Sequence, residues 1–212
     1  MTTKPRKAVG IARPWRGAAA TLIVLATTAC GGGSSNPFDN PPAVVNSDVV
    51  GGQKLSFAYF QRCIDPIFRA QLPIQLDGVA SINTCAGAGC HAAATGTGGS
   101  FRVESNPQLL DLTDPANTPA VLRASDMYKD YYSAQGAVVL GAPTQSRLLA
   151  KPLLLGVLHG GGLVFPSQSD PNAKLIAYWI GHPMPLGQDE FSSAGNALFT
   201  PANAQTGTCN SQ

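Results

Sequence analysis

Apolar and polar positions alternate so as to divide the chain into a few short helical stretches separated by long connections. Ser56 to Asp65 places Phe57, Phe60 and Ile64 on one helical face, and Pro66 is expected to interrupt it. Thr118-Pro119 reads as an N-cap and first helical residue, with Gly136 ending that helix. A short helix is expected at Gln145–Lys151, stopping before Pro152. Asp170-Pro171 opens another, with Leu175, Ile176, Trp179 and Ile180 as its apolar positions and Gly181 at its end. Strand signals are few, Val138–Leu140 at most. The pattern predicts an all-α module with long loops.

Composition bounds this picture. The chain has 212 residues, enough for one domain with a real core but a tight fit for two. Its 23 Gly and 17 Pro make it loop-rich without reaching the share of a disordered chain. Only 12% of residues are charged, with a net charge of +2, which argues against an electrostatic nucleic-acid binder. Five of the 14 basic residues (Lys4, Arg6, Lys7, Arg13, Arg16) fall within residues 1–29, which carry no Asp or Glu. The remainder is mildly acidic.

That basic start precedes residues 17–29 (GAAATLIVLATTA), an apolar run too short to cross a bilayer as a stable helix. Basic, apolar and small residues in that order read as a secretory signal over residues 1–29. Cys30 follows, then Gly31, Gly32, Gly33, Ser34 and Ser35, so the segment resembles a bacterial lipoprotein signal whose cysteine is lipidated. Thr27 stands where that signal usually has Leu; ordinary cleavage after Ala29 is the alternative. Either way an exported protein is expected, in the periplasm or at the outer membrane, with a lipid anchor as its membrane contact. Residues 30–52, rich in Gly, Ser, Asn and Pro, read as a flexible tether, and 53–212 as the folded module.

Four cysteines remain: Cys63, Cys85, Cys90 and Cys209. Exported proteins seldom keep free thiols, so two disulfides are the plain expectation. Residues 85–91, however, read Cys-Ala-Gly-Ala-Gly-Cys-His. A C-x4-C-H run departs by two residues from the C-x-x-C-H of haem c attachment, and the intervening positions are all Ala or Gly. Two thiols can reach the two vinyl groups of a porphyrin while the next residue turns its imidazole to the iron. Small residues let a longer loop bulge clear of the ring. A Cys85–Cys90 disulfide, a zinc site lacking a fourth ligand, and a thioredoxin-type pair without its βαβ setting are the competing readings.

In order along the chain, FAYFQRCIDPIF (57–68), TCAGAGCHAAATGTGGSF (84–101), SRLLAKPLLLGVLHGGGLVF (146–165) and KLIAYWIG (174–181) resemble exported bacterial c-type cytochromes of the cytochrome c-like superfamily. The resemblance spans most of residues 55–185 and is specific chiefly in the Cys/His element. It implies an all-α, cytochrome c-like helical domain around one covalent haem c, held by Cys85 and Cys90 with His91 as proximal iron ligand. It also implies a monohaem electron carrier rather than an enzyme, serving redox partner proteins that the sequence does not identify and no nucleic acid.

The family's distal ligand usually precedes the closing helix, which makes His159, in Leu-His-Gly-Gly-Gly, the first choice for the sixth position. Met184, in Pro-Met-Pro, is the second, and His182 and Met127 are weaker. Histidine there implies a lower potential than methionine. Cys63 and Cys209 are left as a pair whose disulfide would tie the tail to the first helix. His-Gly-Gly-Gly also resembles an esterase oxyanion motif, but the chain has no G-x-S-x-G. A haem peroxidase or gas sensor needs an open sixth position, and His159 and Met184 argue against it. The non-redox alternative is a disulfide-stapled lipoprotein with a structural or binding role.

Overall fold

Thirteen consecutive residues after Ser56 turn helically, but not as one regular helix. In the computed structural model, which describes residues 52–212, α1 (Phe57–Tyr59) passes into a wider π-type segment (Phe60–Ile64) and then α2 (Asp65–Arg69). Ser56 caps the start, its hydroxyl accepting the Tyr59 N–H at 3.2 Å. Proline lacks an N–H and its ring crowds the carbonyl four residues back. The widened segment, closed by the Asp65 N–H on the Phe60 carbonyl, sits just before Pro66. Pro66 therefore does not interrupt the helical path as the sequence predicts. The expected signal (1–29), Cys30 and the tether up to Gly51 lie outside the described residues.

This segment is the axis of the core. Phe60 packs on Trp179 and Tyr131, with ring centres 5.3 and 5.5 Å apart. The Trp179 indole donates to the Ser56 carbonyl at 3.0 Å and the Tyr131 hydroxyl to Leu55 at 2.8 Å, so both polar tips are satisfied in the interior. Trp179 belongs to α6 (Pro171–Gly181), capped by Asp170, whose side chain accepts from Asn172 and Ala173. Tyr131 lies on α4 (Asp126–Gln135). The single helix expected from Thr118 to Gly136 is two: α3 (Pro119–Ala124) stops where Ser125 turns extended. The Ser125 hydroxyl accepts the Tyr128 N–H at 3.1 Å and donates to Leu122 at 2.6 Å, so it ends one helix and starts the next. A short α5 (Arg147–Ala150) follows a 3-10 turn.

The all-α expectation is overturned. The described residues hold 33% helix and 11% strand, in a mixed fold with two small antiparallel sheets. One sheet is the hairpin β1 (Leu72–Leu76) and β2 (Val79–Asn83), with Leu76 opposite Val79. Its two-residue turn, Asp77-Gly78, has positive φ at both positions (50° and 79°), the geometry that matches strand twist. The other pairs β3 (Phe199–Thr200) with β4 (Thr208–Cys209). Val138–Leu140, the segment expected to be extended, forms no strand. Cys209 is joined to Cys63 by a disulfide, which fastens the second sheet to the π-type segment. Among the described residues no helix is long and apolar enough to cross a membrane.

Candidate functional site

The hairpin delivers the chain into the cysteine loop. Just past β2, the Thr84 hydroxyl and the Ala86 N–H both donate to the Phe68 carbonyl at the end of α2, at 2.8 and 2.9 Å. The loop then closes on itself. Gly87 N–H donates to Thr84, Cys90 N–H to Gly87, and His91 N–H back to the Cys85 carbonyl at 3.0 Å. The four small residues between the cysteines are thus taken up in a tight turn. Cys85 and Cys90 are both partly buried thiols and are not joined to each other. Burial, and then the neighbouring Cys90, push the Cys85 thiol up to about 11.

His91 is held on several sides. Its Nδ1 lies 3.0 Å from the Phe101 carbonyl. A carbonyl only accepts, so Nδ1 carries the proton and Nε2 is left with a lone pair. The ring packs against Phe101 at 4.7 Å between centres, and Phe101 rests on Phe68 at 4.9 Å. Gly98 lies so close that a Cβ there would fall 2.7 Å from His91 Cε1. The backbone adds two bonds: Val103 N–H to the His91 carbonyl and Ala93 N–H to the Val103 carbonyl, both 2.8 Å.

His159 is built the same way from a distant segment. Its Nδ1 lies 2.8 Å from the Gly162 carbonyl, which again leaves Nε2 free of the proton. Gly162 has φ +75°, and a Cβ there would sit 2.8 Å from the Gln75 carbonyl carbon and closer still to its oxygen. That close approach permits a bridge of two hydrogen bonds between Gln75 and Leu163, at 2.8 and 2.9 Å. So β1 anchors the His159 loop, while β2 leads directly into the cysteine loop.

The two imidazoles come close together with nearly parallel planes. Their ring centres are 6.4 Å apart and their planes are within 12° of parallel. Burial is the main cause that lowers both from their ordinary value, outweighing the carbonyl bonds, so both rings are neutral at neutral pH. Lys151 lowers both further and Arg102 lowers His91. The Arg102 guanidinium bonds the same Phe101 carbonyl that receives His91 Nδ1–H, at 3.2 Å. Exposed apolar residues border these loops: Leu76 and Val79 at the hairpin tip, and Leu158, which is 93% exposed.

The other candidate ligands lie in different settings. Met184 is fully buried; its N–H donates to Lys54, and its sulfur lies 3.6 Å from where a Cβ on Gly195 would stand. His182 ends α6, stacked on Tyr178 at 3.9 Å with its Nδ1 at the Tyr178 carbonyl. Met127 is buried within α4. Sequence reasoning overlooks the Gly98 contact, the two carbonyl acceptors and the hairpin that carries both loops. Of these, only the hairpin has a sequence signal, Asp77-Gly78 between apolar-rich runs.

The donor set suits a porphyrin better than a bare ion. Among the described residues no group of three or more His, Cys, Asp or Glu is gathered that could hold a metal ion. A porphyrin brings four nitrogens of its own and asks the protein for two axial donors. Two neutral imidazoles, each with its outer N–H fixed on a backbone carbonyl, are of that kind. Comparison with protein-family models, curated proteins and solved structures finds no match for this chain.

Proposed function

We propose that this protein is a monohaem c-type electron carrier of the bacterial cell envelope. The observation that carries the reading is the neighbouring, near-parallel pair His91 and His159. Two imidazoles that held one metal ion between their Nε2 atoms would have ring centres about 6 Å apart. The observed 6.4 Å matches that spacing. The partly buried thiols of Cys85 and Cys90, one turn before His91, support covalent attachment through thioethers. Haem c bound there supplies one-electron exchange.

The chain's own groups do the rest. His91 and His159 would both hold the haem iron, and two protein ligands favour a relay over an oxygen-activating enzyme, which needs an open position. The Phe101 and Gly162 carbonyls hold the rings by their Nδ1 protons, so neither ligand need reorient when the charge changes. The exposed Leu76, Val79 and Leu158 supply apolar surface beside the site. Export, a lipid anchor at Cys30 and a place in the periplasm or at the outer membrane complete the proposal on the sequence pattern alone.

The test is a pyridine haemochrome spectrum of protein exported by a host with haem c maturation machinery, beside a Cys85→Ala/Cys90→Ala control. One haem c per chain, absent from the control, is the expected result. No covalent haem, with Cys85 and Cys90 found joined by mass spectrometry, would overturn it in favour of a disulfide-stapled lipoprotein.

A further inference from the structure

Behind the His91 loop lies a charged cluster that the electron-carrier reading does not use. Asp130 on α4 is fully buried and Asp65 on α2 is 3% exposed. Arg69 grips Asp65 with two bonds, 2.8 and 3.0 Å, and also bonds Asp130. Two buried carboxylates therefore share one guanidinium. With both ionised the cluster would hold an uncompensated negative charge in the interior, so burial, and then the neighbouring Asp65 charge, raise the affinity of Asp130 for a proton.

The other charges around Asp130 are accounted for. Lys129 on α4 turns to Asp126 at 2.6 Å and to the Glu104 carboxylate at 4.0 Å, with a weaker pull on Asp130. Arg102 turns to the Phe101 carbonyl. The Glu104 backbone closes the cluster: its N–H donates to Asp130 at 2.7 Å and its carbonyl accepts from Arg69 at 2.6 Å. Glu104 adjoins Val103, whose N–H holds the His91 carbonyl, and Phe101 accepts the His91 ring proton. The acidic pair thus grips the segment that holds the proximal histidine without touching the histidine itself.

We propose that the Asp65–Asp130 pair is a redox-linked proton site, which takes up one proton from solvent when a one-electron donor protein reduces the iron at His91 and returns it when the electron leaves. This deepens the electron-carrier reading and rests on it. One electron and one proton enter together; the only bond formed is a carboxyl O–H, and the bond broken is that of the proton to water. Reduction removes one positive charge near the pair. Loss of a positive charge raises the proton affinity of a buried carboxylate beside it, and linkage makes the effect reciprocal.

The experiment is a spectroelectrochemical titration of the haem-loaded protein between about pH 5 and 9. In the wild type the midpoint potential is expected to fall as pH rises through a limited window, because the reduced state is the one that holds the proton. The steepest slope possible is tenfold in the reduction equilibrium per pH unit, which is 59 mV for one electron. Asp130→Asn keeps an acceptor for the Glu104 N–H and is expected to flatten that segment, as is Asp65→Asn. A wild-type potential that does not vary with pH, or a slope unchanged in both variants, overturns the proposal while the haem spectrum stands. A chain that takes no haem overturns the electron-carrier reading first, and is recognised by its missing band. If neither variant folds, the infrared difference spectrum of the wild type on reduction decides: a protonated-carboxyl band is gained, or its absence overturns the proposal.

Discussion

Replacing Gly162 by alanine tests how the fold holds His159. Gly162 has φ +75°, and its added Cβ would run into the Gln75 carbonyl, one side of the two-bond bridge to the hairpin. A left-handed conformation costs a non-glycine residue roughly 1–2 kcal/mol. Loss of two bridging hydrogen bonds adds about 0.5–1.5 kcal/mol each. Gly162→Ala should therefore cost about 2–5 kcal/mol and move the carbonyl that orients His159. Two neighbours serve as controls. Gly156 also has a positive φ, +68°, but a Cβ there would meet nothing within 4 Å, so only the conformational cost applies. Gly160 lies in open space without a positive φ, so its change should fall within about 0.5 kcal/mol.

Urea unfolding of the haem-loaded protein reads the stability, and carbon monoxide binding to its reduced form reads the ligand. Gly162→Ala should be the least stable of the three and the one that opens to carbon monoxide. A Gly162→Ala protein as stable as Gly156→Ala, and equally closed to carbon monoxide, would refute the idea that the hairpin bridge positions His159.

Other consequences can be checked separately. His159→Gly should bind carbon monoxide in the reduced state, whereas Met184→Leu should not; the reverse pattern would make Met184 the distal ligand. Arg102→Gln removes a cation beside His91 and a competitor for the Phe101 carbonyl, so the midpoint potential should fall; a rise would contradict the shared-acceptor geometry. With its thiol pushed up to about 11 from an ordinary 9.0, Cys85 in the haem-free chain should alkylate about a hundredfold more slowly than an ordinary thiol at about pH 8. Because folding raises that value, the stability linked to it is full below the ordinary value and is lost as pH rises through the folded one, a fall that urea midpoints can follow. Cys63→Ser/Cys209→Ser opens a 146-residue loop and should cost on the order of 4–5 kcal/mol in unfolding experiments under oxidising conditions.

The helices were legible where a cap and an apolar face coincide. Asp170-Pro171 and the run to Gly181 give α6 with the bounds the pattern predicts. The same rules mislead where a side chain competes with the backbone. Ser125 has no proline or glycine beside it, yet its hydroxyl bonds on both sides split α3 from α4. Pro66 misleads in the other direction, because a π-type turn absorbs it and no residue pattern marks such a turn. The hairpin escapes hydrophobic periodicity because β2 is exposed along its whole length and so carries no buried face to set an alternation. Asp77-Gly78 marks the turn only when turn chemistry is read ahead of periodicity. His91 and His159 can each be singled out from the residues beside them. Their close, near-parallel placement cannot, since it depends on a hydrogen-bonded bridge between residues 75 and 163.

That bridge explains why a mixed fold suits this site. Two histidines on unconnected loops would be free to drift apart, and each would pay an ordering cost whenever the pair had to align. Here β1 is tied to the His159 loop and β2 runs within two residues of Cys85, so a single two-stranded element spans both sides. The α2 carbonyl of Phe68 then pins the start of the cysteine loop, and the segment from Phe101 to Glu104 pins its end. Exposure of the hairpin follows from the same placement: with its backbone engaged at the site, its apolar tip at Leu76 and Val79 is left at the surface rather than in the aromatic core around Phe60 and Trp179. The strands overlooked by a helical reading are therefore the part of the fold that brings the two histidine segments together.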